Sequence, residues 1–355
     1  MSPSIPIRRM RFRLDRISTI VRSFRTLYSL PQDRVDSFLS SYNIFDHDWD
    51  HEDELRRTMG SDYYSEVRRK LVDYYGVLNH LCSLGQIEKM YIPPAMDLSK
   101  SILANQTLFE QQMARDLGLR KGSCALDIGC GRGRVACGMA AWSGASMWGI
   151  NIDPGQVVSG REYVRARGLE ALCQFQVGDM NDLPLPFPDR SFDAVYHIQA
   201  FSYSKDLERL FRDIYRILRP GAKFAGLDWV TLPNYDPTNP RQLELIRRIK
   251  PLIGAIGSPT EEQYVSAMRN AGFEILTSKN ASIGNLQAPL IENVDRFFTR
   301  VAALIRLCVK CRVLPRHFKA LFDRLTKDGE AFIEADRMGL VTTSYYVVAR
   351  KPEGN

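Results

Sequence analysis

Three glycines, Gly129, Gly131 and Gly133, stand in the run Cys124-Ala-Leu-Asp-Ile-Gly-Cys-Gly-Arg-Gly-Arg134, where a short apolar stretch gives way to one rich in small residues. Glycines at that spacing let the backbone turn sharply and let a ligand approach it closely. Arg134 and Val135 follow where a dinucleotide loop would soon need a further glycine, so the spacing is G-x-G-x-G. Asp127 sits just before the loop, at the end of the apolar stretch. A carboxylate there repels a pyrophosphate but suits the ammonium of an amino-acid-bearing nucleoside.

The same logic extends downstream. Asn151 ends the next apolar run, Ala145-Ser-Met-Trp-Gly-Ile-Asn151, and an amide there donates to and accepts from a ribose hydroxyl. Asp153 is the alternative ribose partner. Asp179 ends Gln174-Phe-Gln-Val-Gly-Asp179 and suits an adenine amino group, with the backbone at Met180 meeting the ring edge. Each polar residue falls just past an apolar run, in chain order. That co-occurrence points to a nucleoside site across the carboxyl ends of parallel strands.

Elements to position these residues alternate at short intervals. Strands are predicted at 124–128, 145–151, 174–179, 192–198 and 223–230, with helices at 134–142, 154–167 and 206–218. The expectation is an α/β, doubly wound, mostly parallel sheet with helices on both faces. Upstream, 61–84 and 99–117 read as helices, and Pro93-Pro94 separates them.

The chain has 355 residues, 45% of them hydrophobic and 25% charged, enough for a sizeable core. Its net charge of +7 is concentrated: residues 1–30 hold seven arginines against Asp15, leaving the rest almost neutral. That argues against a nucleic-acid partner, which needs the excess charge on the binding surface. Met10, Leu14, Ile17, Val21, Phe24 and Tyr28, with Ile20 and Leu27 beside them, form an apolar helical stripe flanked by arginine. Such a stripe suits an anionic membrane surface, an organelle-targeting segment, or a helix docked on the body. No run is apolar enough for a spanning helix, and seven scattered cysteines suggest no disulfide framework but a reducing, cytoplasmic setting. The acidic run 45–54 and the lone Cys308-x-x-Cys311 lack convergent ligand spacing. They read as a solvated loop and as core packing, and no metal is expected.

Taken together these motifs resemble the class I S-adenosylmethionine-dependent methyltransferases, and more narrowly the sterol C-methyltransferase family. The resemblance covers about 70–352 and rests on Tyr74-Tyr75, the Gly129 loop, "GINIDPGQV", "GDMNDLPLPFPDRSFDAVY", "LDWVTLPNYDPTNP" and "MGLVTTSYYVVARKP". It implies a seven-stranded Rossmann-like sheet with strand six at 273–280, a helical insertion over 285–340 and a last strand at 344–350. The implied organisation is a basic amphipathic helix (1–30), a helical lid (31–118), a cofactor-binding core (119–284) and an insertion plus final strand (285–355). S-adenosylmethionine is the implied cofactor, held by Asp127, Gly129, Gly131, Gly133, Asn151, Asp179 and Met180.

The pattern departs from the family at Gln199 and Tyr203, where the family has glutamate and histidine, and at Asp228, where it has glutamate. Methylating an alkene requires alignment, exclusion of water and tolerance of a transient carbocation. Tyr196, Phe201, Tyr203 and Trp229 are candidate aromatic faces. Asp228 is the nearest acidic candidate for the base, with His197 read as a packed residue. The apolar run Ile249–Ile256 is expected to wall a pocket for a lipophilic acceptor, an isoprenoid, sterol-like or other natural product. Methylation of nitrogen or oxygen is the alternative, with a nicotinamide oxidoreductase or an inactive scaffold more remote. Peripheral membrane contact through 10–28 completes the expectation.

Overall fold

A computed structural model of the protein describes residues 18–85 and 87–354. Seven strands form one sheet: β1 (Cys124–Ile128), β2 (Ser146–Asn151), β3 (Cys173–Val177), β4 (Phe192–Ile198), β5 (Leu218–Thr231), β6 (Glu274–Asn280) and β7 (Val341–Arg350). Their order is β3-β2-β1-β4-β5-β7-β6. β1 to β5 pair in parallel, while β7 runs antiparallel between β5 and β6. This is the expected seven-stranded, Rossmann-like sheet, with the chain order reversing beside β1.

Period-two alternation divides the strands between two cores. Ala125, Ala194, Tyr196 and Leu227 face the side covered by α5 (Ile102–Asp116), α6 (Arg134–Ser143) and α7 (Pro154–Arg167). Leu126, Ile128, Val195 and Phe224 face α8 (Leu207–Ile217) and α10 (Glu261–Asn270). Local signals agree with these packings. In α7, Asp153 caps the first turn by accepting from Gly155 N and Gln156 N, Pro154 occupies N1, and Gly168 closes the helix in the left-handed region.

The remaining helices build a cap over the carboxyl ends of the strands. They are α1 (18–28), α2 (Gln32–Ser41), α3 (Glu52–Met59) and α4 (Tyr63–Leu84) upstream, and α9 (Pro240–Ile253) after β5. The insertion between β6 and β7 is helical, as expected: α11 (Ala288–Lys310), α12 (His317–Leu325) and α13 (Gly329–Arg337). Phe38, Val67 and Tyr74 of the upstream helices share a core with Phe318 and Leu321 of α12.

Two expectations change, and one of the open readings of the basic stripe is seen in part. Residues 45–54 are not a solvated loop: they form short helical turns, bury Phe45 and lead into α3. Cys308 and Cys311 end α11, half-buried and exposed respectively, so they are not core. Residues Met10, Leu14 and Ile17 of the basic stripe lie outside the described residues. The described turns, 18–28, dock on the body: Leu27 is buried, Ser23 meets His80 Nδ1 at 3.2 Å, and Leu27 O accepts from His317 Nε2. Among the described residues no helix is long and apolar enough to cross a membrane.

Candidate active site

The glycine loop is held against the end of β2. Gly129 N and Cys130 N both donate to Ile150 O, at 2.9 and 3.0 Å, and Gly131 N donates to Asn151 Oδ1 at 3.2 Å. Gly129 and Gly131 have φ of 79° and 54°. A Cβ on Gly129 would lie 2.6 Å from Ala200 Cβ, so only glycine leaves the loop open to the cleft. Gly133 stands outside the cleft lining. Its missing side chain makes room for the Phe175 ring, 2.3 Å from where a Cβ would be.

Two adjoining depressions meet at Gly129 and Gly131. The polar half is lined by Glu88, Lys89, Asp127 and Arg132, among others. Asp127 Oδ2 accepts from Tyr196 OH at 3.0 Å, because the register pairs these residues across β1 and β4. Burial pushes the Asp127 carboxyl up to about 7, against the hydrogen bond from Tyr196 that lowers it. Arg132 donates to Ser83 Oγ and Glu88 O, yet its buried Nε has no partner. A buried acid and a partly unsatisfied guanidinium suit the ammonium and carboxylate of an amino acid. Arg132 is an unexpected member of the site, marked in the sequence only as an arginine inside the loop itself.

The second half is aromatic and aliphatic. Trp49, Tyr64, Tyr75 and Tyr203 line it with Met90, Ile152 and Met180. Asn151, Asp179 and Gln199 supply polar groups. Asp179 accepts from Asn181 N at 2.9 Å and from Tyr64 OH at 2.7 Å, and pairs with Arg68 at 3.2 Å. Tyr203 and Tyr75 share a hydroxyl–hydroxyl bond of 2.8 Å; burial pushes the Tyr75 phenol up to about 12, so it stays neutral. The halves enclose about 60 and 90 Å³. Ligand pockets are typically 300–1,000 Å³, so a nucleoside enters only if the cap side chains move.

Several expected residues lie elsewhere. Asp228 is buried and accepts from Phe201 N at 2.9 Å and Trp229 N at 2.8 Å, so its carboxylate anchors the turn that carries Tyr203. It does not line the cleft. Trp229 donates to Gly257 O at 3.0 Å within the core beneath α9. Phe201 stacks on His197 at 3.5 Å, and His197 meets Tyr264 OH, so both are packing residues. Ile249 and Ile256 are fully buried and form no cleft wall; nearby Gly254 backs Tyr203 instead. Gln199 lines the cleft, but its amide bonds Ile92 N, Ile92 O and Thr343 O, joining the 85–94 segment to β7. Asp153 is the α7 cap.

Among the described residues no cluster could hold a metal. The cleft fits S-adenosylmethionine in three respects: the side-chain-free loop, the acid–guanidinium end, and Asp179 beyond β3.

Comparison with known proteins agrees. Residues 126–226 match a family described as a methyltransferase domain. The chain is 30% identical to the sterol 24-C-methyltransferase of Pneumocystis carinii (strain B80), over 68% of this chain and 69% of that one. It is also 30% identical to the botryococcene C-methyltransferase of Botryococcus braunii, over 71% and 68%. Among solved structures, the [4+2]-cyclase SpnF aligns with a TM-score of 0.64 at 21% identity, covering 81% of this chain and 97% of that one. A geranyl diphosphate methyltransferase in complex with GPP and sinefungin aligns at 0.56 and 20%, covering 74% and 87%. These structures share the fold; the sequence relatives carry the chemistry. The chain belongs to the class I S-adenosylmethionine-dependent methyltransferases, within the sterol C-methyltransferase-like family.

Proposed function

We propose that the enzyme methylates a carbon of a lipophilic, isoprenoid or sterol-like acceptor. The observation that carries this reading is the second half of the cleft, where Trp49, Tyr64, Tyr75 and Tyr203 stand among aliphatic side chains. A wall of that kind favours an acceptor with little hydration to lose. The similarity to C-methyltransferases named for sterols and for botryococcene supports it.

Bound S-adenosylmethionine supplies an electrophilic methyl group on a sulfonium. Asp127 and Arg132 would hold its amino-acid end, and Asn151, Asp179 and Met180 its nucleoside. The chain's own part is then to align, to dry and to stabilise. The cap helices exclude water, and the aromatic faces attract positive charge developing on the acceptor. Asp228 acts through Tyr203 as a positioning residue, since its carboxylate holds the turn bearing that ring.

A second reading is transfer to nitrogen or oxygen, which forms no carbocation: Asp179, the one acid lining this half among the described residues, is already bonded to Tyr64 and Arg68 and is not free to quench one. Incubation with labelled donor and a lipid extract, followed by NMR of the labelled product, separates the two. A new C–CH3 bond supports carbon methylation; an N- or O-methyl product overturns it. Peripheral contact with a membrane accompanies a lipophilic acceptor, and the outward Val21, Phe24 and Tyr28 of the 10–28 stripe support it.

A further inference from the structure

Charge is unevenly placed in the body as well as at the head. Between Arg296 and Phe322 the chain carries seven basic residues and no acid. This stretch is most of α11, the following turn and the start of α12. On its inner face α11 packs Ala302, Val301, Ile305 and Val309 against the cap core. Its outer face is also apolar: Phe297, Leu304 and Leu307, with Val313 in the turn, keep half or more of their surface in water. Positions 297, 300, 304, 307 and 311 share one side of a helix.

Arg306 and Lys319 both pair with Asp323, but Arg300, Lys310, Arg312 and Arg316 have no acidic partner among the described residues. Single exposed leucines are ordinary; four large apolar side chains in one unpaired cationic face are not. The surface continues onto α1, whose Phe24 and Tyr28 rings lie 5.9 and 6.5 Å from Phe318 of α12 and are themselves partly in water.

We propose that the outer face of α11 and the α11–α12 turn docks on an anionic lipid surface. Phe297, Leu304, Leu307 and Val313 enter the acyl boundary, while Arg300, Lys310, Arg312 and Arg316 reach lipid phosphates along their flexible stems. Charge selects this occupant. A second copy would bring two cationic faces together, and a nucleic-acid backbone would leave the leucines nothing apolar to cover. The position suits the enzyme's task. Phe298, next on α11, fills the space beside Gly85 at the end of α4, and Met90 a few residues on lines the cleft. Lipid docking itself does not depend on the acceptor reading, so failure of either leaves the other standing.

The test is co-sedimentation of the full chain with phosphatidylcholine vesicles, with and without phosphatidylserine, at low and high salt. Two variants accompany it: Leu304→Gln with Leu307→Gln, and Arg300→Gln with Lys310→Gln and Arg312→Gln. All five positions are exposed, so unchanged melting temperature and S-adenosylhomocysteine affinity verify the fold. The expected result is binding to phosphatidylserine vesicles alone, released by salt and weakened at least tenfold in each variant. Binding that both variants retain overturns the proposal, including the case where deleting residues 1–17 alone abolishes it. So does a concentration-dependent dimer dissolved by the leucine variant, or RNA binding that only the basic variant loses.

Discussion

The phenol of Tyr64, on α4, donates to Asp179 Oδ2 at 2.7 Å, so the carboxylate we propose for an adenine amino group is bonded to the cap. Arg68 reinforces it from the next turn at 3.2 Å. Cofactor entry must exchange these contacts. A hydrogen bond to a charged group contributes about 1.5–3 kcal/mol. Tyr64→Phe is therefore expected to speed S-adenosylhomocysteine association roughly tenfold, read by stopped-flow tryptophan fluorescence. An unchanged rate would mean that the cap opens without breaking this bond.

Asp127 ties cofactor affinity to pH. Burial holds its carboxyl at about 7 in the folded protein, well above the ordinary value. Only the ionised form attracts an ammonium, so apparent affinity is expected to weaken about tenfold from pH 8 to pH 6. Asp127→Asn should flatten that profile in calorimetric titration. The same shift affects stability in the opposite sense. Between about pH 4 and 7 the folded chain keeps a proton that the unfolded chain has released, so this group's contribution falls as pH rises through that window. Denaturation of Asp127→Asn should show a shallower loss over the same range.

Gly129→Ala combines a positive φ with a 2.6 Å clash against Ala200. Cofactor affinity should fall at least tenfold, about 1.4 kcal/mol. Gly168→Ala is the control: its φ is 64°, but nothing lies within 4 Å of the added methyl. It should lose stability through backbone strain alone and bind cofactor normally. Equal affinities in the two variants would remove the loop from the site.

Asp228→Asn separates an anchor from a base. An amide in place of the carboxylate leaves backbone N–H groups at Phe201 or Trp229 without an acceptor, costing about 1–3 kcal/mol. The melting temperature should drop by about 1–4 °C, and KM for the acceptor should rise with cofactor affinity within about twofold. Arrested methyl transfer with stability and acceptor KM unchanged would instead make Asp228 the base.

The residues proposed for the cofactor were legible because they follow from local order. Asp127, Asn151 and Asp179 each lie at or just past the carboxyl end of a strand, and parallel pairing carries consecutive strand ends to one edge of the sheet. The acceptor half was not, because it is assembled by packing. Trp49 comes from a stretch whose acids suggested solvent, Tyr64 from a helix with no local mark of which residues it would face, and nothing local says that Trp49 Nε1 will reach Ser202 O, 2.9 Å away. The orientation of Asp228 and Trp229 was hidden differently. The β5–β7 register shifts between Asp228 and Val230, an irregularity that re-aims side chains without any mark in the residue order.

β7 has a further consequence. It lies between β5 and β6, and α11 to α13 are encoded before it. During synthesis the long apolar edge of β5 therefore waits, already translated, for a partner more than a hundred residues downstream. At ordinary elongation rates that is on the order of ten seconds. An unpaired edge rich in apolar residues recruits other strands. Until β7 is made the sheet cannot close, so that edge stays open to pairing with other strands after the cofactor loop has already been synthesised.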